Sequence, residues 1–360
     1  KNYFDAGIRI FWLDEAEPEY GTYDFKNYRY HLGSNQQIGN VFPQLYARVF
    51  YDGMRQEGME NPINLLRCAW AGSQRYGALV WSGDIMSRWE DFRRQVCAGL
   101  SMGVAGIPWW TTDIGGFHGG WTEKPEFREL LVRWFQWSCF CPVFRMHGER
   151  SPWHEREVEF INNVRQLTSG QDNEVWAFGE ENTPILCKYL FIRERIRPYV
   201  RRLMQEAHET GAPVMRPLFY EFPEDRQAWL TEDCYMFGPD MLVAPVMEPG
   251  VTERSIYLPV GSTWKDAYTG KVYEGGQTVT VPAPMEEKEE VSEPDTPLTV
   301  VIRVMTAITP MRMPSTVRKE RTLLPRMFSS DMVTHSRSIT RTPISFLSIA
   351  DAAPFRQLAV

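Results

Sequence analysis

The chain has 360 residues, of which 43% are hydrophobic, and its formal net charge at pH 7 is −7. This length and apolar content allow one large domain with a sizeable core and a smaller second domain. The negative charge argues against a nucleic-acid partner. No stretch approaches the roughly 20 apolar residues that a membrane-spanning helix needs, so the sequence predicts a globular protein without a membrane segment.

The six cysteines are few for this length and include no CxxC pair. They favour free thiols in a reducing compartment, and hence a cytoplasmic location, over a disulfide framework or a zinc site. Their positions are Cys68, Cys97, Cys139, Cys141, Cys187 and Cys234. The chain begins at Lys1 without an initiator Met. We therefore expect a fragment, and the lack of a signal peptide carries no information about export.

The first unusual stretch joins an apolar run to a group of carboxylates. Residues 6–10 (AGIRI) predict a short buried strand, and residues 11–19 (FWLDEAEPE) follow it with Asp14, Glu15, Glu17 and Glu19. Burying such charges costs free energy unless they meet solvent, protons or a ligand. Two interpretations remain open at this point: a solvated acidic loop, or a site in which Asp14 does chemistry.

Strand and helix patterns alternate along the first half of the chain. Short apolar runs predict strands, and apolar residues at helical spacing predict the helices between them. The predicted strands cover 64–70, 76–81 and the approach to 110, with a further run at 140–147; the predicted helices cover 42–58, 89–102 and 124–137. This alternation is typical of βα units around a parallel sheet.

Polar or charged groups stand at the ends of five successive predicted strands. They are Asp14, Arg67, Asp84, Asp113 and His147. In a parallel sheet these ends converge on one face. Each residue alone has a structural explanation: an ion pair for Arg67, a helix cap for Asp84 or Asp113, and a satisfied core position for His147. Five such groups in succession favour a functional site.

The second half of the chain changes its pattern twice. A long helix is predicted from Thr183 to Gly211, with Pro184 in its first turn. From about residue 233, short alternating segments separated by turns predict an antiparallel β domain. We expect the first domain to cover residues 1–225 and the β domain to cover 226–284.

Residues 285–360 differ in composition from the rest of the chain. No glycine follows Gly276, and residues 301–360 contain nine Lys or Arg against three Asp or Glu. This segment is either a disordered tail or a stretch translated in a wrong reading frame, and the abruptness of the change favours the second interpretation. We assign it no function.

Other patterns that carry chemistry are weak. His118, His147 and His154 lack the HExxH spacing of a zinc site, and we predict neither a metal nor a cofactor. Residues 114–120 (IGGFHGG) are rich in glycine but lack the Lys-Ser/Thr of a phosphate loop. We interpret this segment as backbone that makes room for a ligand or for a tight turn.

Four motifs resemble those of glycoside hydrolase family 31. FWLDEAE at 11–17 is similar to the family's nucleophile segment, and RCAWAGSQRYGALVWSGD at 67–84 to the stretch that runs from an arginine to the acid/base residue. GIPWWTTDIGGF at 106–117 and FRMHG at 144–148 resemble the third and fourth motifs. The resemblance covers about residues 1–284, and the order of the four motifs makes it specific.

This resemblance implies roles for individual residues. Asp14 would be the nucleophile and Asp84 the general acid/base. The residues implied to bind the hydroxyls of the cleaved sugar are Arg67, Asp113 and His147, and those implied to line its subsite are Trp12, Trp81 and Phe117. Glu15, directly after the nucleophile, is a candidate for choosing between substrates.

The resemblance also implies a fold and an activity. The α/β fold would be a partial TIM (β/α)8 barrel, about strands 4–8, followed by an antiparallel β-sandwich. The enzyme would be an exo-acting, retaining hydrolase of terminal α-linked glucosyl or xylosyl residues in an oligosaccharide or glycoside, which needs two carboxyl groups about 5 to 5.5 Å apart. The alternative is a catalytically incompetent fragment with at most weak carbohydrate binding. The sequence leaves the oligomeric state open.

Overall fold

The computed structural model describes residues 1–15, 26–152, 160–161, 164–165, 170–267, 269–285 and 300–304. Its helices are α1 (Asn2–Asp5), α2 (Asn35–Ile38), α3 (Phe42–Gln56), α4 (Trp89–Val104), α5 (Pro125–Ser138), α6 (Thr183–Thr210) and α7 (Leu218–Glu221). Its strands are β1 (Trp12–Leu13), β2 (Arg29–Tyr30), β3 (Gly33–Ser34), β4 (Asn64–Leu66), β5 (Ala78–Trp81), β6 (Trp110–Thr111), β7 (Gly120–Trp121), β8 (Arg150–Ser151), β9 (Phe160–Ile161), β10 (Val164–Arg165), β11 (Met215–Pro217), β12 (Tyr235–Phe237), β13 (Met241–Val243), β14 (Glu253–Leu258), β15 (Thr263–Asp266), β16 (Val272–Glu274), β17 (Gln277–Pro282) and β18 (Val300–Val304).

A four-stranded parallel sheet forms the centre of the first part of the chain. Its strands lie side by side in the order β1-β4-β5-β6, and every neighbouring pair is parallel. Helix α3 lies between β1 and β4 along the chain, and α4 lies between β5 and β6. The predicted βα units are therefore confirmed, and helices α3, α4 and α5 begin and end within a few residues of the predicted positions.

The first predicted strand is wrong in its position. Residues 6–10 are exposed, with Ile10 65% exposed, and the strand itself is limited to Trp12 and Leu13. Among the described residues β1 pairs with β4 alone, so it is an edge of this sheet and no neighbour covers the run that precedes it. Residues 6–10 are mostly apolar, but an apolar run becomes buried only where another part of the chain covers it.

The predicted strand at 140–147 is also wrong, because this segment is irregular in the structure. Arg193 donates hydrogen bonds to the carbonyl oxygens of Cys139, Cys141 and Pro142, which are then not free for a strand ladder. Pro142 has no N–H to donate. The segment still lies beside β6, since the N–H of Val143 is 3.3 Å from the carbonyl oxygen of Trp110. His147 is therefore placed by a loop.

Helix α5 packs against the C-terminal end of β6. Its side chains are buried on most sides, and Trp134 stacks on Phe92 of α4 with ring centroids 4.9 Å apart. The indole Nε1 of Trp134 donates to Oγ1 of Thr112 at 2.9 Å, directly before Asp113 in the chain. The main core thus fixes the position of one predicted site residue.

The second part of the chain is an antiparallel β structure in two layers. A six-stranded sheet has the order β11-β12-β13-β18-β15-β16, and β14 pairs with β17 in a separate sheet. Met236 and Leu242 of the first sheet and Ile256 and Val279 of the second share one hydrophobic core. This is the predicted β-sandwich.

Two strands of this sheet lie outside the β domain as we delimited it from the sequence. Strand β11 precedes residue 226, and β18 lies in the segment predicted to be an atypical tail. The rest of that tail, residues 286–299 and 305–360, lies outside the described residues. The buried guanidinium of Arg133 on α5 joins the two parts of the structure by donating to the carbonyl oxygens of Val251 and Ala283 at 3.0 and 2.8 Å.

Candidate active site

The parallel sheet brings four of the predicted residues to one edge. Asp14 and Arg67 directly follow β1 and β4, Asp84 lies three residues after β5, and Asp113 lies two residues after β6. Because neighbouring strands run in the same direction in a fixed register, these four positions lie at the same end of the sheet. The convergence that we expected from the strand order is present.

Arg67 joins the two carboxylates that are 70 residues apart in sequence. Its Nη1 atom lies 3.5 Å from Oδ1 of Asp14 and 3.4 Å from Oδ2 of Asp84. Both oxygens therefore lie on one nitrogen, and their separation cannot exceed the sum of these two distances. The side chains of Asp14 and Asp84 are 51% and 41% exposed, whereas that of Arg67 is 13% exposed. The carboxylates thus open to solvent above a largely buried cation.

Glu15 supports Asp14 with its backbone. Its N–H donates to Oδ1 of Asp14 at 2.9 Å, and its φ of 50° puts it in the left-handed region that a glutamate rarely adopts. The side chain of Glu15 is exposed. A role for that side chain in substrate choice stays a prediction.

Asp113 is fully buried and pairs with a residue that the sequence analysis did not single out. Its Oδ1 atom accepts a hydrogen bond from Nη1 of Arg145, and its Oδ2 atom has no hydrogen-bond partner among the described residues. Burial raises the pKa of Asp113, and the nearby Arg145 opposes that increase in part. In this arrangement the Asp113 carboxylate faces Arg145 and is closed to solvent.

Arg145 had a signal in the sequence. It lies two residues before His147 in the FRMHG motif, and in the strand predicted over 140–147 this spacing would put both side chains on the same face. The guanidinium of Arg145 also packs over two aromatic rings, 4.9 Å from the centroid of Trp12 and 5.6 Å from that of Trp81. The motif therefore supplies two side chains to this region.

Aromatic rings form one wall of the candidate site. The ring of Trp12 meets those of Trp81 and His147 edge to face, with centroids 5.7 and 4.8 Å apart, and Phe117 lies 5.5 Å from His147. Burial lowers the pKa of His147, the charges of Arg145 and Arg150 add to this effect, and Asp113 and Asp84 oppose it. Of the predicted lining residues, Trp12 and Trp81 are thus in direct contact, and His147 connects Phe117 to Trp12.

The glycine-rich segment 114–120 makes room for its neighbours in the fold. A Cβ atom on Gly116, whose φ is 82°, would lie 2.6 Å from the backbone of Ser87. The buried guanidinium of Arg150 donates to the carbonyl oxygens of Gly116 and Ile114, both at 2.8 Å, and to that of His147 at 3.3 Å. Arg150 thereby holds the loop of Phe117 against the loop of His147.

The structure assigns no metal site to this region. Within the described ranges, no group of three or more His, Cys, Asp or Glu side chains is arranged to hold a metal ion.

None of the helices in the same ranges has the length and apolarity that a membrane crossing requires.

Two family models match the chain, one after the other. Residues 1–203 match the family 31 TIM-barrel domain of the glycosyl hydrolases, and residues 211–303 match the family 31 C-terminal domain. The chain belongs to glycosyl hydrolase family 31. The parallel sheet is accordingly part of a TIM barrel, and the two-layered β structure is the family's C-terminal domain, as the sequence motifs implied.

Relatives of this family 31 chain include two kinds of glycosidase. It is 35% identical over 286 residues to an alpha-xylosidase of Saccharolobus solfataricus, which covers 78% of this chain and 36% of that protein. It is 64% identical over 152 residues to an uncharacterized family 31 glucosidase of Pseudescherichia vulneris, which covers 42% of this chain and 29% of that protein.

The crystal structure of an alpha-xylosidase from a soil metagenome, complexed with xylose, is also similar. The identity is 55% and the TM-score 0.78, and the match covers 85% of this chain and 44% of that one. The family 31 chain therefore spans less than half the length of each of these three relatives.

Proposed function

We propose that the site is that of a retaining α-glycosidase in which Asp14 is the nucleophile and Asp84 the general acid/base. The observation that supports this most directly is the contact of both carboxylates with one nitrogen of Arg67. A retaining glycosidase needs two carboxyl groups about 5 to 5.5 Å apart. The distances of 3.5 and 3.4 Å from Nη1 of Arg67 to Asp14 and Asp84 are compatible with that separation.

The proposed reaction has two displacements. The ionised carboxylate of Asp14 attacks the anomeric carbon while the protonated carboxyl of Asp84 donates its proton to the departing glycosidic oxygen, which leaves as an alcohol. A glycosyl ester on Asp14 results. Asp84, now a carboxylate, removes a proton from water, the water oxygen attacks the anomeric carbon, and the Asp14 carboxylate is released. Two inversions retain the α configuration.

The proposed substrates are glycosides with a terminal α-linked glucosyl or xylosyl residue. The support comes from the names of the relatives, which include an alpha-xylosidase and a glucosidase. Trp12, which is 48% exposed, and the partly buried Phe117 fit this class, because aromatic rings pack well on the apolar faces of sugars; Trp81 is only 1% exposed and supports Trp12 from below. Glu15 is the residue we propose for discriminating between the two sugars.

A second candidate function is carbohydrate binding without turnover. Trp12 is 48% exposed on β1, which is an edge of the described sheet, so no described strand covers the candidate site on that side. A site open to water holds a sugar less rigidly and shields its carboxylates less from solvent, and both effects reduce catalysis.

Turnover of an aryl α-glucoside and an aryl α-xyloside by the purified chain separates the two candidates, with a thermal melt to show cooperative unfolding. We expect release of the aryl alcohol from at least one substrate, and Asp14→Asn to remove nearly all of it. A chain that melts cooperatively and cleaves neither substrate would refute the proposed activity. Calorimetric binding of xylose or glucose by that chain would then support the second candidate.

We also propose that the protein works in a reducing compartment. None of the six cysteines, all of which lie in the described ranges, forms a disulfide, and Cys139, Cys141 and Cys234 are buried. Burial raises the pKa of the Cys139 thiol to about 12, which keeps it protonated and unreactive. Six thiols titrated in the denatured, unreduced protein would agree with this proposal, and fewer than six would contradict it.

A further inference from the structure

A histidine and a glutamate form a pair beside the aromatic wall. Nδ1 of His118 lies 2.8 Å from Oε2 of Glu149, and the two side chains are 44% and 27% exposed. The ring of His118 meets the ring of Phe117 edge to face, with centroids 4.5 Å apart. The pair is therefore accessible to solvent and in contact with a residue that lines the candidate site.

Backbone hydrogen bonds fix this pair next to the proposed acid/base residue. The N–H of His118 donates to the carbonyl oxygen of Ile85 at 3.0 Å, and the carbonyl oxygen of His118 accepts from Ser87 at 2.8 Å. Ile85 directly follows Asp84. The N–H of Glu149 donates to the carbonyl oxygen of Phe117 at 2.9 Å. The loop of Asp84 and the loops of the pair thus form one hydrogen-bonded unit.

In the proposed reaction, the side of the site next to Asp84 is where the leaving group departs. A general acid must lie within hydrogen-bond reach of the oxygen that it protonates, so the rest of the leaving group lies close to it as well. The backbone hydrogen bonds of His118 to Ile85 and Ser87 put the pair beside the loop that carries Asp84. We propose that His118 and Glu149 bind a hydroxyl-bearing leaving group, that is, the sugar released from an α-linked disaccharide or oligosaccharide. This inference rests on the proposed function.

The hydrogen-bonding atoms of the pair suit a sugar. An ionised carboxylate oxygen only accepts, so Nδ1 of His118 must carry the proton of the 2.8 Å contact. Nε2 of His118 and Oε1 of Glu149 make no hydrogen bond to the described residues. A sugar hydroxyl both donates and accepts, and neighbouring hydroxyls on one ring can therefore reach both atoms.

An ordinary surface ion pair is the competing explanation. Exposed pairs contribute little to stability, so neither explanation predicts that the variants fail to fold. The two explanations differ in substrate dependence. A structural pair affects every substrate alike, whereas a leaving-group site affects only substrates whose leaving group it touches.

The test compares two substrates with the same cleaved sugar. One is an α-glycosyl fluoride, which releases fluoride and has no second sugar, and the other is the corresponding α-linked disaccharide. We expect His118→Ala and Glu149→Ala each to lower kcat/KM on the disaccharide roughly tenfold more than on the fluoride, which corresponds to one lost hydrogen bond. The double variant should lose less than the product of the two single losses, because the residues act as a pair.

His208→Ala, at the exposed end of α6, is the matched control and should treat both substrates as the parent chain does. Equal losses on both substrates in His118→Ala would overturn the leaving-group site while leaving the proposed function intact. A parent chain that cleaves neither substrate refutes the proposed function. In that case the leaving-group site is tested by calorimetry, which compares the affinity of the chain for the disaccharide with its affinity for the monosaccharide. The site is supported if His118→Ala weakens only disaccharide binding, and is refuted if the parent chain shows no preference for the disaccharide.

Discussion

The guanidinium of Arg145 neutralises the fully buried carboxylate of Asp113. We expect Arg145→Met to lower the free energy of unfolding by roughly 3 kcal/mol, because it leaves a buried charge without its partner. The pKa of Asp113 should rise further, since Arg145 is the group that lowers it most. Urea unfolding at pH 7 measures the loss, and adding Asp113→Asn to Arg145→Met should recover part of it.

Arg94→Met serves as the control for that change, because Arg94 pairs with Glu90 on the exposed face of α4. Its effect should stay below about 1 kcal/mol. A loss of the same size in both variants would show that burial of the Arg145–Asp113 pair is energetically unimportant.

Asp84→Asn tests the role of the general acid. General acids contribute roughly a hundredfold or more when the leaving group is a poor one, and little when it departs unaided. We therefore expect a large loss of kcat/KM on an alkyl α-glycoside and a much smaller loss on an aryl α-glycoside with an electron-poor ring. Asp14→Asn should abolish turnover of both. Equal losses on the two substrates in Asp84→Asn would contradict its assignment.

The general plan of the fold was predictable from local patterns. Helix α3 has Pro43 in its first turn and ends before Gly58, whose φ is 91°, and both features were readable in the sequence. The order of Asp14, Arg67 and Asp84 along successive strands was predicted, although the first strand lies at 12–13 instead of 6–10 and the second ends at Leu66 instead of residue 70. A parallel sheet converts the ends of such strands into a common edge, so the sequence order was enough to predict that the residues converge.

The partners of individual charges were not predictable in the same way. The sequence did not tell which cation meets which carboxylate, and the structure pairs Arg67 with Asp14 and Asp84 but Arg145 with Asp113. A hydrophobic pattern shows that a residue is apolar, but not which neighbour covers it, because that depends on the whole fold. Ile10 was expected to be buried from its pattern alone, and it is exposed because no described neighbour covers it.

Arg150 is expected to be the main support for the loops around the aromatic wall. Arg150→Met leaves the buried carbonyl oxygens of Ile114 and Gly116 without their donor, and we expect a loss of roughly 3 kcal/mol in urea unfolding. Arg150→Lys keeps the charge but not the planar set of donors, so it should restore only part of the stability. Full stability in Arg150→Lys would show that charge alone matters at this position.

The lowered pKa of His147 predicts how stability depends on pH. Below the ordinary value of 6.5 the unfolded chain takes up a proton first, so the stabilisation from neutral His147 is present above that pH and is lost as the pH falls through the lowered value in the folded protein. Histidines titrate between roughly pH 5 and pH 7.5. Over that range we expect the Tm of the parent chain to fall more steeply with decreasing pH than the Tm of His147→Gln. His208→Gln, at the exposed end of α6, should keep the parent slope. Equal Tm slopes in the parent chain and His147→Gln would contradict the burial of neutral His147.

The titration of His147 tests its electrostatic coupling to Arg150. The charges of Arg145 and Arg150 lower the pKa of His147, while Asp113 and Asp84 raise it. Arg150→Met should therefore shift the His147 titration seen by NMR to higher pH. An unchanged titration in that variant would contradict the coupling.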